Sequence, residues 1–200
     1  MIFRLNKNGY SEMFSIDPQT YLFKNLQGFP EGIVGNFSFS PDSKQLVYNL
    51  QASNMSGDVY VYDFSSGKST RWTDSENGDL NRNDFVACRP FYYNSFDSVE
   101  GKPRQIPALL YKPKNTEGKK IPVLISIHGG PESQSTPTFS SQTQFYLKNL
   151  GIAVVVPNVR GSTGYGKTFT QLDNGFLRMN SVKDIEYLLN WIATQPALDT

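Results

Sequence analysis

The chain's single histidine stands where chemistry is easiest to build. His128-Gly129-Gly130-Pro131 directly follows the apolar run Ile121-Pro122-Val123-Leu124-Ile125-Ser126-Ile127. That run reads as a strand buried on both faces of a sheet. Glycines just past a strand end let backbone approach a ligand and leave N–H groups free to donate, as stabilising an oxyanion requires. A plain tight turn, with His128 bonded to neighbouring backbone, uses the same residues and remains open on spacing alone. The second candidate is Asn158-Val159-Arg160-Gly161-Ser162-Thr163-Gly164-Tyr165-Gly166, which follows the apolar run 152–156. It contains G-x-x-G-x-G rather than the G-x-G-x-x-G of a dinucleotide turn. Residues 161–168 formally spell G-x-x-x-x-G-K-T, a phosphate-cradling string. Such a loop sits directly between a strand and a helix. Here 157–160 intervene after the strand, and Thr168-Phe169-Thr170-Gln171 opens no amphipathic pattern, so nucleotide binding is the weaker reading. Arg160 can either hold a carboxylate or order the loop through several hydrogen bonds.

Other candidates carry less. Asp173, Asp184 and Glu186 show no paired-carboxylate logic, and Asp184 is expected at a helix start, in a capping box with Ser181. Cys88 reads as a small buried hydrophobe. No G-x-S-x-G occurs in the 200 residues, so no nucleophile is visible. One histidine also excludes, within this stretch, any triad or metal site that needs a second. No metal and no cofactor is expected.

The elements that position these residues fall into two stretches. Residues 10–73 alternate in the manner of short strands. Phe37-Ser38-Phe39-Ser40, 45–50, 58–63 and 69–73 form four strands in about 37 residues, the size of one propeller blade, and 10–26 resemble part of an earlier one. A meander in another β fold is the alternative. The polar stretch 74–84 marks the expected boundary, giving 1–80 and 81–200 as domains. Beyond it, strands are expected around 89–94 and 106–112, then the two buried strands. A helix ends at 146–150 with Gly151 past its end, and a last helix has Val182, Ile185, Leu188, Leu189 and Ile192 at helical spacing. The expected fold class is mixed: a partial β-propeller, all-β, followed by the N-terminal part of an α/β domain with helices on a mostly parallel sheet.

Composition agrees with a packed core: 38% hydrophobic against 18% charged, with 14 Phe and 11 Tyr. Nineteen basic and 18 acidic residues leave a net charge of +1, so no basic field points to nucleic acid or an anionic membrane. The apolar run at 152–156 is far short of the ~20 residues of a membrane span, and 1–6 lack a secretory h-region. The compartment stays undetermined.

Together, His128-Gly129-Gly130-Pro131, the segment 158–167, and 172–185 resemble the prolyl oligopeptidase family of serine peptidases, including its dipeptidyl peptidase and acylaminoacyl peptidase branches. Phe39-Ser40-Pro41-Asp42-Ser43 with Val59-Tyr60-Val61-Tyr62-Asp63 looks like the repeat of that family's propeller. The resemblance covers about 37–73 and 85–200. It implies a propeller joined to an α/β-hydrolase domain, acyl transfer by a serine, and an oligopeptide substrate. It further implies that the Gly130 N–H, with Gly129 beside it, is an oxyanion donor. His128 would stand where relatives carry a hydroxyl that assists the oxyanion, while Arg160 and Tyr165 would lie in a loop near the site. The serine elbow would follow residue 200 closely and the acid and base later still. The chain is therefore expected to be an internal fragment, inactive by itself. An esterase on the same scaffold, or a non-catalytic remnant with a binding role, are the alternatives.

Overall fold

The computed structural model describes residues 1–130 and 132–199; Pro131 of the glycine turn and Thr200 lie outside the described residues. Internal contacts divide the chain into two units, residues 1–85 with 136–140, and 86–135 with 141 onward.

The first unit is two antiparallel sheets. Strands β1 (Ile2–Lys7), β2 (Tyr10–Ile16) and β3 (Phe23–Asn25) make one, in that order. Strands β4 (Ile33–Phe39), β5 (Gln45–Ala52), β6 (Met55–Asp63) and β7 (Lys68–Arg71) make the other, each paired to the next. The period-2 reading is clearest in β5, where Leu46, Tyr48 and Leu50 are buried while Val47 and Asn49 face out. Those three pack with Met13, Val34 and Tyr62, each such side chain contributing about 1.5–3 kcal/mol by leaving water. Strand β1 was not anticipated: its polar Arg4 and Asn6 alternate with Phe3 and Leu5, and six residues give periodicity little to work on. Gly28 is needed where it is, because at φ +89° a β-carbon would fall 2.0 Å from the Gly67 carbonyl oxygen.

A buried carboxylate anchors the polar stretch after β7. Asp58 accepts from Arg71 Nε at 3.0 Å, Thr73 Oγ1 at 2.7 Å and Ser75 N at 2.8 Å. Burial pushes its carboxyl up, but the hydrogen bonds from Thr73, Ser75 and Arg71 prevail and hold it below the ordinary range. Arg82 bonds Asp74 and the Ser75 carbonyl, so this stretch is a tied loop.

The second unit is one five-stranded sheet with helices. Its strands are β8 (Arg89–Val99), β9 (Lys102–Tyr111), β10 (Ile121–Ile125), β11 (Ala153–Pro157) and β12 (Leu198–Asp199), in the order β12-β10-β11-β9-β8. β12, β10 and β11 run parallel, whereas β9 and β8 are antiparallel. Its helices are α1 (Ser141–Phe145), α2 (Lys167–Thr170) and α3 (Met179–Ala193). Helix α1 widens into a π-helical turn over Tyr146–Leu150 and stops at Gly151, whose φ of 64° is the left-handed conformation expected past a helix end. β11 is covered on both faces: Val155 joins Ile106, Ile121, Leu188 and Ile192, while Val154 joins Cys88, Leu109, Tyr111 and Leu147. β10 departs from expectation, because Ile121 is buried but Pro122 and Leu124 are exposed.

The last helix also needs correcting. It starts at Met179, two residues early, and Ser181 Oγ donates to the Arg178 carbonyl at 2.8 Å inside the first turn. The capping box of Ser181 with Asp184 does not form. Asp184 is fully buried and faces the sheet with Leu188 and Ile192, while Val182 and Leu189, expected inside, are about half exposed. A buried guanidinium claims the carboxylate, which leaves none for the helix end.

Candidate functional site

β10 and β11 are parallel neighbours, so the loops leaving their carboxyl ends emerge side by side. These are the two segments singled out by their glycines. Three contacts join them. His128 Nε2 lies 3.0 Å from Ser162 Oγ, Thr163 N donates to the Ser133 carbonyl at 2.8 Å, and Asn158 clamps Ser135 from both sides. In that clamp the Asn158 carbonyl accepts from Ser135 N at 2.7 Å and its amide donates to Ser135 O at 2.9 Å, as a strand neighbour would. Asn158 Nδ2 also donates to the Tyr165 hydroxyl at 3.0 Å.

The second loop is held from beneath by Arg160, which is 2% exposed. Its backbone N and Nε donate to Asp184 Oδ2 at 3.0 and 2.9 Å, and Nη2 donates to Asp184 Oδ1 and Asp97 Oδ1, both at 2.8 Å, and to Ser95 Oγ at 3.2 Å. The guanidinium carbon sits 4.3 Å from the Phe96 ring centroid. Arg104 Nε completes the charge balance on Asp97 at 2.8 Å. Burial acts to raise the Asp97 carboxyl, but Arg160 and Arg104 outweigh it and hold it below the ordinary range. Burial likewise acts to lower the Arg160 pKa, and Asp184 and Asp97 reverse that. The two uses the sequence left open for Arg160 coincide: it holds the carboxylates of Asp184 and Asp97, and through them it orders the loop.

The glycines have local explanations. Gly161, at φ +95°, is so close to Asp173 that a β-carbon would stand 2.4 Å from Oδ1, and Gly164 is equally close to Gln134 Oε1. A phosphate in front of Gly161 would meet a buried carboxylate, and the helix that follows has only four residues. The phosphate-loop string is therefore coincidental. Tyr165 packs edge-on against Phe169 at 5.4 Å, and burial raises its hydroxyl pKa.

The first loop is open. Gly129 and Gly130 are exposed, a β-carbon on either would meet nothing within 4 Å, and Gly130 has φ +97°. The Gly130 carbonyl accepts from Glu132 N at 2.7 Å. Ser162 and His128 stand at the distance of an activated nucleophile and its base. The details exclude that role. Ser162 is fully buried, and its hydroxyl donates to the Val159 carbonyl at 2.6 Å, so its one proton is not directed at the imidazole. Among the described residues no cluster of three His, Cys, Asp or Glu could hold a metal, and no helix is long and apolar enough to cross a membrane.

Sequence reasoning missed Ser162, Asn158 and Asp97, and misassigned Asp184. One signal was present: Asp184 is spaced four and eight residues from the buried Leu188 and Ile192, so a charge lay on an apolar stripe and needed a partner.

Two glycine loops thus stand side by side at the carboxyl ends of adjacent parallel strands, in a mostly-sheet chain. Comparison with known proteins shows what the chain is similar to. Residues 137–200 match the prolyl oligopeptidase family model. The dipeptidyl aminopeptidase BIII of Pseudoxanthomonas mexicana is 34% identical over 84 residues, 40% of this chain and 12% of that protein. The acylamino-acid-releasing enzyme of Arabidopsis thaliana is 36% identical over 88 residues, 43% of this chain and 11% of that protein. The acylaminoacyl peptidase structure from Pyrococcus horikoshii superposes with a TM-score of 0.78 at 21% identity, covering 99% of this chain and 30% of that one. Residues 137–200 are thus similar to the prolyl oligopeptidase family, and the fold of the whole chain is similar to part of an acylaminoacyl peptidase. The chain spans about an eighth of the length of these curated relatives.

Proposed function

We propose that these residues are part of a serine-type peptidase that cleaves oligopeptides by acyl transfer, and that they supply one side of its oxyanion hole. The observation that carries the reading is the open turn at Gly129 and Gly130, set at a parallel strand end and buttressed by a second, buried loop. The finer architecture belongs to the same proposal. Residues 1–80 are read as propeller blades, with β4 to β7 one blade. Residues 81–200 are read as the opening strands and helices of an α/β-hydrolase domain, in the order β8-β9-β11-β10-β12, with the turn after β10 taken to lie beside the reacting centre.

In this reading a serine outside residues 1–200 attacks the substrate carbonyl. A histidine, likewise outside, takes the proton and returns it to the leaving amine, and a carboxylate orients that histidine. The Gly130 N–H donates to the oxygen as it becomes negative, a contribution worth about 3–4 kcal/mol where one such donor is removed. Arg160 and Tyr165 shape the neighbouring loop. Support comes from relatives named as a dipeptidyl aminopeptidase and an acylamino-acid-releasing enzyme.

The test is to express the complete open reading frame that contains this chain and treat it with a fluorophosphonate, then map the adduct. Labelling of a serine outside 1–200, together with turnover of a peptide anilide, is expected. A complete reading frame that is never labelled would overturn the proposal, and turnover of esters without peptides would replace peptidase by esterase.

A further inference from the structure

We infer that Ser162 is the positioning residue of the oxyanion turn, and that the His128 imidazole is a strut between the two loops rather than a donor to substrate. The Ser162 hydroxyl has a single hydrogen, and it goes to the Val159 carbonyl at 2.6 Å. Its oxygen can therefore only accept from His128 Nε2 at 3.0 Å, which fixes the proton on Nε2. That donor is consumed inside the protein. The other ring nitrogen, Nδ1, then carries no proton, so its 3.3 Å approach to the Gly129 carbonyl oxygen is a contact between two acceptors, and it has nothing to donate to an oxyanion. Neither nitrogen is left to stabilise a substrate oxyanion, so although the resemblance sets His128 where relatives carry an assisting hydroxyl, the Gly129 and Gly130 N–H groups act here without the ring.

Ser162 is suited to the task because its side chain and both of its backbone polar groups are bonded inside the protein. It is fully buried, its carbonyl accepts from Thr170 Oγ1 at 3.2 Å, and its backbone N donates to Val159 O at 3.0 Å. Two residues earlier Arg160 is pinned by Asp184 through both backbone and side chain. The line from helix α3 to the turn is thus Asp184, Arg160, Ser162, His128, Gly129. His128 is the residue directly before the two glycines, so tying its ring to Ser162 anchors the chain where it enters the turn. The catalytic consequence rests on the peptidase reading; the hydrogen-bond assignment does not.

The chain has one histidine, so selective 15N labelling of histidine yields the two nitrogen resonances of one ring. The expected result is a protonated Nε2 carrying a slowly exchanging proton with a through-space contact to the Ser162 β-protons. Ser162→Ala should abolish that proton signal by solvent exchange while the far-ultraviolet circular dichroism is retained. His128→Gln, whose amide can donate from a similar position, should keep the Gly129 and Gly130 amide shifts near wild type, whereas His128→Ala moves both. A ring proton that exchanges freely in the wild-type chain, or one that resides on Nδ1, would overturn the inference, and that measurement decides even if Ser162→Ala fails to fold. Failure here leaves fluorophosphonate labelling untouched, and absence of labelling leaves the ring assignment standing, so the two readings fail separately.

Discussion

Arg160 shows how much of a functional loop is settled by one side chain. A guanidinium that is 2% exposed, with fully buried Asp184 beneath it, has either to be balanced or to be absent. Replacing Arg160 with methionine should destabilise the chain by about 3–5 kcal/mol, because Asp184 is then left buried without its cation. The double replacement Arg160→Met with Asp184→Leu should recover much of the loss, since a pair removed together leaves no orphaned charge. Urea unfolding of the two single variants and the double one measures the coupling directly; equal, additive losses would show that the pair is not coupled. Asp97 gives the same network a pH dependence. Its folded carboxyl is held below the ordinary Asp value, so the unfolded chain binds its proton first as the pH falls. The stability it contributes is complete above about pH 4, the ordinary Asp value, and is lost as pH drops through the lower, folded value. Unfolding free energies measured down through that window should decline less steeply in Asp97→Asn than in the wild type.

At the scale of elements, the glycine loop after β11 is built by close approach. Gly161→Ala puts a β-carbon into the Asp173 carboxylate and forces a side chain to φ +95°, at a cost of about 1–3 kcal/mol from backbone strain alone. Differential scanning calorimetry should show the lowered Tm, and Gly129→Ala should not, because Gly129 has a negative φ and open space around it. This contrast also marks what the sequence disclosed. Strand β5 was legible because alternation is a one-dimensional signal, and Gly151 because a helix end needs its φ. That the chain leaves β10 through an open bend at 129–130 was legible as well, since glycines just past a strand end mark a change of direction. Asp184 was not, because three residues after a serine at a helix start is also where a capping carboxylate belongs. Only the position of Arg160, 24 residues away in sequence and 2.9 Å away in space, distinguishes the two. Ser162 was hidden for a related reason: a serine among glycines looks like loop filler until its two hydrogen bonds are seen. The short strands β1 and β12 escaped because six and two residues carry little periodicity.

For the whole molecule, the exposed side of α3 predicts how the chain behaves in solution. Met179, Val182 and Leu189 are 62%, 54% and 51% exposed, and Phe176 just before the helix is 95% exposed. Scattered apolar residues on a surface need no explanation, but these share one helix and the turn leading to it. The helical spacing of Val182 and Leu189 is what made those two look like core. Exposed in water, such a stripe lowers its free energy by meeting another apolar surface at about 25 cal/mol per Å² of area covered. The 200-residue chain should therefore associate with rising concentration and bind a hydrophobic dye in its folded state. Val182→Glu with Leu189→Glu should suppress both without loss of helix, since neither side chain is buried and Asp184, Leu188 and Ile192 keep the inward face. Sedimentation velocity over a concentration series separates the outcomes. A wild-type chain that stays monomeric would show that the stripe is too interrupted by Lys183 and Glu186 to act as a surface. Association that survives the double substitution would move the contact elsewhere, to the terminal strands of the sheets, where unpaired backbone groups offer another route to self-pairing.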